Sequence, residues 1–256
     1  MKINLSVENP LGPTPQGLVW EYINDNSSNK HLDYGTRDGI FLKHLVASKK
    51  ITEGYGLDLN QDAIQTGVKK LKDTNINLLV IRKGESIPHE DNFFDSISMI
   101  GVLEHIHDQD RILKELYRVL KKNGNLYILV PGKHLFSFLD MGNFKFIFPK
   151  LHKFYIERKH SKNFYEEHFI KCKNGLFGDI EVEKMWHQHF KSEELERLIK
   201  RAGFEIMEND GIGFFRRIFA NLKYFSPSII KSILEKLIDL DAKKFEESEI
   251  LVVAKK

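Results

Sequence analysis

Residues 93–131 read FFDSISMIGVLEHIHDQDRILKELYRVLKKNGNLYILVP, and this stretch decides the fold. The apolar run Asp95–Ile100 predicts a strand buried on both faces, and Leu126–Val130 predicts a second one. Between the two runs, apolar residues recur at helical spacing: Ile112, Leu113, Leu116, Val119 and Leu120. We expect this helix to end at Asn123-Gly124, because both residue types favour the backbone that terminates helices.

Strands and helices alternate along the rest of the chain. Upstream, we expect helices at 16–26, 40–48 and 61–72 and strands at 31–33, 54–58 and 77–81. Downstream, we expect a helix that Ser192 caps and Gly203 ends, a strand at 204–207, amphipathic helical structure at 212–240 broken at Ser226-Pro227, and a final strand at 249–254. Such alternation implies right-handed crossovers and a mainly parallel sheet.

Composition bounds the class of protein. The 256 residues suit one α/β domain with an elaboration, and a net charge of +3 is too small to argue for nucleic acid. The single cysteine, Cys172, excludes an intrachain disulfide and favours a reducing compartment. Because the sequence shows neither a signal-peptide core nor a long apolar run, we expect a cytoplasmic protein.

The segment after the second buried strand breaks the alternation. Residues 132–190 are rich in aromatic, lysine and histidine residues and lack a clear long periodicity. We therefore expect an insertion there, and divide the chain into a leader and helix (1–29), a first half-domain (30–131), this insertion or cap (132–190) and a second half-domain (191–256).

Two motifs stand where consecutive strands end. Asp33-x-Gly35-x-x-x-Gly39 lies at the first strand-to-helix turn, where glycine permits close approach of a ligand and the helix offers free N–H groups. Asp58 follows the second strand, where a carboxylate can accept hydrogen bonds from a ribose diol. Each alone also fits an ordinary turn or helix cap, but together they favour a nucleotide-like ligand.

Five segments, taken in order, resemble the S-adenosylmethionine-dependent methyltransferases of the Rossmann-like superfamily, in its type 11-like branch. They are HLDYGTRDGIFL (31–42), GLDLN (56–60), ESIPHEDNFFD (85–95), VLEHIHD (102–108) and LYRVLKKNGNLYILVP (116–131). The resemblance returns at FKSEELERLIKRAGF (190–204). It implies an α/β Rossmann-like fold with a seven-stranded, mainly parallel sheet, an antiparallel last strand, helices on both faces and S-adenosylmethionine as cofactor.

The resemblance also implies roles for single residues. Asp33, Gly35 and Gly39 match the loop that holds the methionine part of the cofactor, and Asp58 matches the residue that binds the ribose hydroxyls. The remaining matches are Leu59 beside the adenine, Glu85 and Ser86 near the adenine edge, and Gly101 and Val102 close to the sulfonium and the acceptor.

Two positions depart from the family pattern. Arg37 stands where the loop usually has another glycine, so the loop is expected either to reach the cofactor carboxylate or to bind the cofactor more weakly. Lys83 or Gly84 stands where an aspartate is usual, and Glu85 is the candidate to take its role. Arg37 also replaces the second glycine of the dehydrogenase fingerprint, which argues against a dehydrogenase.

Methyl transfer from a sulfonium mainly requires alignment of the acceptor and exclusion of water, and a base helps when the acceptor is a hydroxyl. His105 with Glu104 is the first candidate and His189 the second; His107, His134 and His187 are further options, and His105 could equally be structural. Gly101 stands where ubiquinone-pathway O-methyltransferases have a glutamate, so no metal is predicted.

The acceptor is expected to be a small molecule, lipid-linked or a glycan, with O-methylation favoured. Basic and aromatic residues alternate in 133–174, and 213–238 joins arginine and lysine to an apolar face, so both segments could meet an anionic membrane or simply pack internally. The alternatives are an RNA methyltransferase, although nucleic acid is disfavoured, and a non-catalytic methyltransferase-like binding protein.

Overall fold

The computed structural model describes residues 10–12, 14–170, 187–246 and 248–256. Within them, seven strands form one sheet. In chain order the strands are β1 (Asn29–Tyr34), β2 (Ile51–Asp58), β3 (Ile76–Val80), β4 (Phe94–Ile100), β5 (Leu120–Pro131), β6 (Glu205–Ile212) and β7 (Glu249–Lys255). Their order across the sheet is β3-β2-β1-β4-β5-β7-β6.

The sheet is mainly parallel. Strands β1 to β5 pair with their neighbours in parallel, whereas β7 runs antiparallel to both β5 and β6. The predicted α/β class, strand number and antiparallel last strand are therefore confirmed. Strand β1 lies between β2 and β4, so the chain order reverses at β1. In open α/β sheets this reversal leaves a crevice outside the carboxyl ends of the strands.

Ten α-helices surround the sheet in the described ranges. They are α1 (Pro15–Asn26), α2 (Ile40–Ala47), α3 (Gln61–Lys70), α4 (Gln109–Val119), α5 (Met141–Ile147), α6 (Pro149–Lys159), α7 (Lys162–Tyr165), α8 (Ser192–Arg201), α9 (Arg216–Phe225) and α10 (Ser228–Lys244). Across the described residues, every helix falls short of the length and apolar content that crossing a bilayer requires.

Strand β5 shows how the two faces of the sheet are covered. Its Leu126, Ile128 and Val130 pack in the core beneath α4 and α8, whereas the alternating Tyr127 and Leu129 pack in the core with α1 and α2. All five residues are fully buried. A strand covered on both faces needs apolar residues at every position, which explains the unbroken apolar run in its sequence.

The end of α4 differs from the sequence prediction. The helix ends at Val119 and β5 begins at Leu120, so Asn123-Gly124 does not stop the helix but lies in the strand. The pairing shifts from Phe94–Leu120 to Ser96–Asn125, which leaves a bulge on β5. A Cβ on Gly124 would lie 2.9 Å from the Asp95 carbonyl oxygen, so close packing in the bulge requires this glycine.

The start of α8 also differs from the prediction. Ser192 is the first residue of the helix rather than its cap, and Lys191 occupies the cap position without a side-chain capping bond. The Ser192 hydroxyl instead accepts a hydrogen bond from the Asn209 amide on β6. The Ser192 hydroxyl therefore bonds to a tertiary partner rather than to a backbone N–H at the start of the helix.

The insertion contains more regular structure than its sequence indicated. Between Met141 and Tyr165 it forms α5, α6 and α7, and a π-helical turn follows at Glu166–Ile170. Helices α5 and α7 have only seven and four residues, and α6 buries only His152 and Ile156, so none shows a clear apolar period. Residues 171–186, with Cys172, lie outside the described residues, as does most of the expected leader, residues 1–9.

A chain of buried polar groups crosses from β1 to β4. Ser98 donates a hydrogen bond to Asp33 (2.6 Å), while the two His31 nitrogens lie 2.8 Å from the Ser96 hydroxyl and 3.0 Å from the Ser98 hydroxyl. Burial lowers the pKa of His31 to about 3, so its ring is neutral. Since the Ser98 proton goes to Asp33, His31 Nε2 donates to Ser98 and Nδ1 accepts from Ser96.

We expect Ser98→Ala to lower the free energy of unfolding by about 2–3 kcal/mol, because it leaves both Asp33 and His31 short of a buried partner. The matched variant Ser96→Ala removes one neutral bond and should cost about 1 kcal/mol. Urea titration measures both. Equal losses in the two variants would contradict the connected arrangement.

Candidate active site

A cavity of about 270 Å³ lies at the carboxyl ends of β1, β2 and β4. The residues that line it come from five stretches of chain: Gln16, then Tyr34, Gly35 and Arg37, then Leu57 to Asn60, then Ile81, Lys83 and Gly84, and finally Ile100 to Val102, His105, Ile106, Arg111 and Ile112. The strand reversal at β1 therefore opens the crevice that the topology predicts.

The turn after β1 depends on Gly35. Its φ of +86° is a left-handed conformation, and a Cβ there would lie 2.2 Å from a Val102 methyl carbon. The Gly35 N–H donates to the Leu57 carbonyl oxygen at 2.8 Å. Only glycine combines this backbone with this approach, so Gly35 brings the ends of β1, β2 and β4 together around the cavity.

Arg37 keeps the loop in the shape that glycine would give it. Its φ is +58°, a left-handed conformation that costs a non-glycine residue roughly 1–2 kcal/mol. Its backbone N–H donates to the Asp58 carboxylate at 2.7 Å. The side chain is exposed and borders the cavity, so the departure from glycine leaves the backbone of the loop open to a ligand.

Asp58 holds the loop and borders the cavity. One carboxylate oxygen accepts from Arg37 N–H and the other from Asn60 N–H at 2.8 Å. Burial raises the pKa of Asp58, and the backbone hydrogen bonds from Asn60 and Arg37 oppose that shift. A carboxylate has about four lone-pair sites, so Asp58 can also accept from a hydroxyl in the cavity.

Two of the predicted cofactor residues stand behind the loop. Asp33 is buried below it, bonded to Ser98, and burial raises the pKa of its carboxyl to about 6. Gly39 is the N-cap of α2, with φ +74°, and a Cβ there would lie 2.9 Å from a Leu71 methyl carbon. Neither lines the cavity, so both act through the shape of the loop.

The opposite wall differs in part from the sequence expectation. Leu59 lines the cavity, whereas Glu85 and Ser86 do not, and Lys83 and Gly84 line it instead. The Glu85 carboxylate turns back and accepts from the Arg82 N–H at 2.9 Å. Position in sequence could not reveal this, because the direction of an exposed side chain is set by the turn that carries it.

Sequence reasoning missed two residues of the wall. Tyr34 follows Asp33 at the end of β1, so its place at a strand end was an available signal. Arg111 comes from the first turn of α4 and donates to the Gly84 carbonyl oxygen at 3.2 Å. Its place follows from how α4 packs across the sheet, which no local pattern indicates.

Gly101, Val102 and His105 line the cavity near the end of β4. Glu104 does not line it but lies buried behind His105, with its carboxylate 4.0 Å from His105 Nε2. Burial raises the pKa of Glu104 to about 7, against the opposing effect of the nearby His105. The two residues that the sequence paired are therefore neighbours, and His105 is the one in reach of a ligand.

Asp140 gathers the polar residues of the insertion. Its carboxylate lies 3.2 Å from His187 Nδ1, 2.9 Å from His189 Nε2 and 3.1 Å from an Arg217 nitrogen. Burial alone would raise the pKa of Asp140, but hydrogen bonds from His187 and His189 and the Arg217 charge hold it well below its usual range. This buried ionic cluster fastens the insertion to the start of α9.

The cluster touches the cavity through one histidine. The His187 ring packs edge-on against the His105 ring, with centroids 4.5 Å apart. His189, the second candidate base, instead lines a separate hollow of about 320 Å³ together with His187, Lys133 and Phe138. His107 is exposed and His134 lies away from the cavity wall, so His105 alone of the candidate bases lines the cavity.

We expect Gly35→Ala to weaken binding of S-adenosylmethionine, the cofactor that the resemblance implies, at least about tenfold, because the added methyl displaces Val102. Arg37→Gly restores the usual glycine and should bind at least as well as the parent, since it keeps the N–H bond to Asp58. Calorimetric titration compares the two. Loss of binding in Arg37→Gly would show that the arginine side chain itself holds the ligand.

Comparison with known proteins bears on the activity. A family of methyltransferase domains matches residues 18–209. A demethylmenaquinone methyltransferase of Staphylococcus saprophyticus is 31% identical over 73% of this chain and 74% of its own length. The ubiquinone/menaquinone biosynthesis C-methyltransferase UbiE of Haemophilus ducreyi is 29% identical over 58% of this chain and 53% of its own.

Solved structures share the fold. An S-adenosylmethionine-dependent methyltransferase from Mesorhizobium loti superposes with a TM-score of 0.57 at 13% identity, covering 95% of this chain and 98% of that one. Another, from Archaeoglobus fulgidus, gives 0.54 at 17% identity, with 94% of each chain covered. The chain thus belongs to the S-adenosylmethionine-dependent methyltransferases of the Rossmann-like class, and S-adenosylmethionine is its cofactor.

Proposed function

We propose that this methyltransferase methylates a carbon atom of an electron-rich ring in a small, lipid-linked acceptor. The similarity to the demethylmenaquinone methyltransferase over 73% of the chain carries the proposal. The sequence analysis favoured an oxygen acceptor. The relative named as a C-methyltransferase favours carbon instead.

The cavity fits the cofactor in its polar and apolar parts. Asp58 would accept hydrogen bonds from the ribose hydroxyls, while Leu59 and Ile81 offer apolar surface to the adenine. A Cβ on Gly101 would lie 3.6 Å from the Glu104 carboxylate, so this position leaves room for close approach of the sulfonium, while Gly35 shapes the neighbouring turn. Lys83 and Arg111 add positive charge to the wall.

His105 is proposed as the base. When bound, S-adenosylmethionine supplies an electrophilic methyl group. A ring carbon becomes nucleophilic when a ring hydroxyl loses its proton, and His105 is the imidazole that lines the cavity. The buried Glu104 carboxylate behind it would stabilise the protonated imidazole, so Glu104 acts as a positioning residue rather than a catalytic one.

The insertion is proposed to support this arrangement from the other side. His187 packs on His105 and is bonded to Asp140, which limits the orientations of the His105 ring. The hollow beside His187 has both apolar and polar walls, including Phe138, Asn143 and Lys133. It could take a part of the acceptor that does not react, and its neighbour across His187 is the cofactor cavity.

The acceptor atom is open to a direct test. We expect the protein, given S-adenosylmethionine with a ¹³C-labelled methyl group and a reduced, prenylated naphthoquinone that lacks its ring methyl, to yield a product whose label has the chemical shift of a carbon-bound methyl. Nuclear magnetic resonance distinguishes this signal from that of a methoxy group. A methoxy product would contradict the carbon assignment, and no transfer to any reduced quinone would remove the acceptor class.

The pair at the end of β4 predicts a change in rate. His105→Asn should lower kcat by about 100-fold or more while cofactor affinity stays close to that of the parent, because a base acts in the chemical step. Glu104→Gln should also lower kcat, and should remove the part of the rise of kcat through about pH 7 that comes from loss of the Glu104 proton in the parent. Steady-state kinetics from pH 5.5 to about 9 measures both.

The free energy of unfolding of the parent should fall as the pH rises, opposite to kcat, and Glu104→Gln should reduce this fall. Because the pKa of Glu104 is raised to about 7 in the folded protein, its favourable contribution exists below the unfolded value and is lost as pH rises towards 7. Between pH 5 and pH 8 the parent should lose ~2–3 kcal/mol more unfolding free energy than Glu104→Gln. Parallel stability curves would show that Glu104 is not held in its protonated form by burial.

A further inference from the structure

Helices α9 and α10 form a hairpin with an apolar outer surface. Leu234, Ile238 and Ala242 bury one face of α10 against the domain. A second row of α10 points away from this face: Ile229 and Ile233 are 82% and 56% exposed, and Leu240 is 53% exposed. One apolar row of α10 therefore packs in the core, and a second apolar row is exposed.

Lysines continue the uncovered row. Residues 229, 233, 236, 240 and 244 follow at spacings of three and four, so Lys236 and Lys244 lie in line with Ile233 and Leu240. Both lysines are exposed. The acidic Glu235 lies off this row and pairs with Lys223 at 2.8 Å. The residues of the row are thus apolar or cationic, and the partly exposed Asp239 stands next to the row.

The insertion adds a second row of the same character. Leu151, Phe154 and Arg158 follow at spacings of three and four along α6. Phe154 is 63% exposed, and Leu151 is 55% exposed. Lys150 and Lys153 stand beside them, so this row also combines apolar and cationic side chains.

The two rows lie on helices that both pack against α9. Tyr155 of α6 packs against Phe225 of α9, with ring centroids 4.9 Å apart, and Lys159 lies 4.2 Å from the Tyr224 ring. The Asn221 amide on α9 also donates to the Leu139 carbonyl oxygen of the insertion at 2.7 Å. Two segments distant in sequence therefore carry apolar, lysine-rich rows on one packed unit.

We propose that this surface, formed by the exposed rows of α6 and α10 and named here the docking surface, binds an anionic lipid membrane. Apolar side chains can enter the interfacial region while flanking lysines and arginines meet anionic headgroups. A second copy of the chain is a poorer partner, because two surfaces of the same positive sign repel each other. The inference concerns a surface outside the cavity and goes beyond methyl transfer itself.

Vesicle flotation of the full chain tests the proposal, using pure phosphatidylcholine vesicles and vesicles that also contain phosphatidylglycerol. The first variant is Ile229→Ser with Ile233→Ser, and the second is Lys236→Glu with Lys244→Glu. The matched control, Val68→Ser with Leu79→Ser, removes two exposed apolar side chains, 47% and 44% exposed, from the distant α3–β3 edge. Sedimentation velocity gives the oligomeric state of each protein.

We expect the parent and the control to float with the phosphatidylglycerol vesicles and much less with phosphatidylcholine alone. Each docking-surface variant should bind at least about tenfold more weakly, and added salt should weaken binding of the parent. Failure of the parent to bind, equal binding to both vesicle types, or unchanged binding of both variants would overturn the proposal. So would a parental dimer that the isoleucine variant converts to monomer, which would assign the surface to a second copy.

The experiment requires neither cofactor nor acceptor. Its outcome is therefore separate from that of the proposed methyl transfer, which can be measured with the acceptor dissolved in detergent. Vesicle binding without quinone methylation would support the docking surface and contradict the proposed acceptor. Quinone methylation without vesicle binding would support the acceptor and contradict the docking surface.

Discussion

The carboxylate of Asp58 joins the ends of β1 and β2 by accepting backbone hydrogen bonds from Arg37 and Asn60. Gly35 completes the junction, since its missing side chain lets Val102 from the end of β4 approach the same turn. Three strand ends are thereby held around one cavity. The loop can tolerate an arginine at position 37 because the backbone, rather than the side chain, makes the bond that maintains its shape.

A second constraint comes from the insertion. Asp140 is buried with two histidines and an arginine around it, and this cluster joins the insertion to α9. Removing one member of such a buried cluster would leave uncompensated charge, so its members depend on one another. The same cluster places His187 against His105. The insertion therefore connects the cavity to the helices that carry the docking surface.

Glu104 shows how stability and chemistry are opposed at this site. A carboxyl buried so deeply favours its protonated form, which costs stability as the pH rises. The proposed chemistry needs the ionised form beside His105. Such opposed requirements are common where a charged group is held ready for a reaction, and the surrounding sheet provides the stability that offsets them.

The sequence predicted the α/β class, the alternation of strands and helices along the chain and the loop motif at residues 33–39. It could do so because hydrophobic period and glycine position are local properties. Asn123-Gly124 and Ser192 misled the prediction because tertiary partners took over groups that local rules assign to helix ends. The helices of the insertion were missed because α5 and α7 are too short to show a period and α6 buries only His152 and Ile156.

The sequence by itself determined which strands are buried, where Asp58 and the Gly35 turn lie, and that His105 follows Glu104 at a strand end. Only the tertiary structure decided that His105 faces the cavity while Glu104 is buried behind it, that Lys83 and Gly84 replace Glu85 in the wall, and that His189 lies elsewhere. The physical reason is that the chain specifies elements through local periodicity, whereas the direction of a side chain depends on what packs against it.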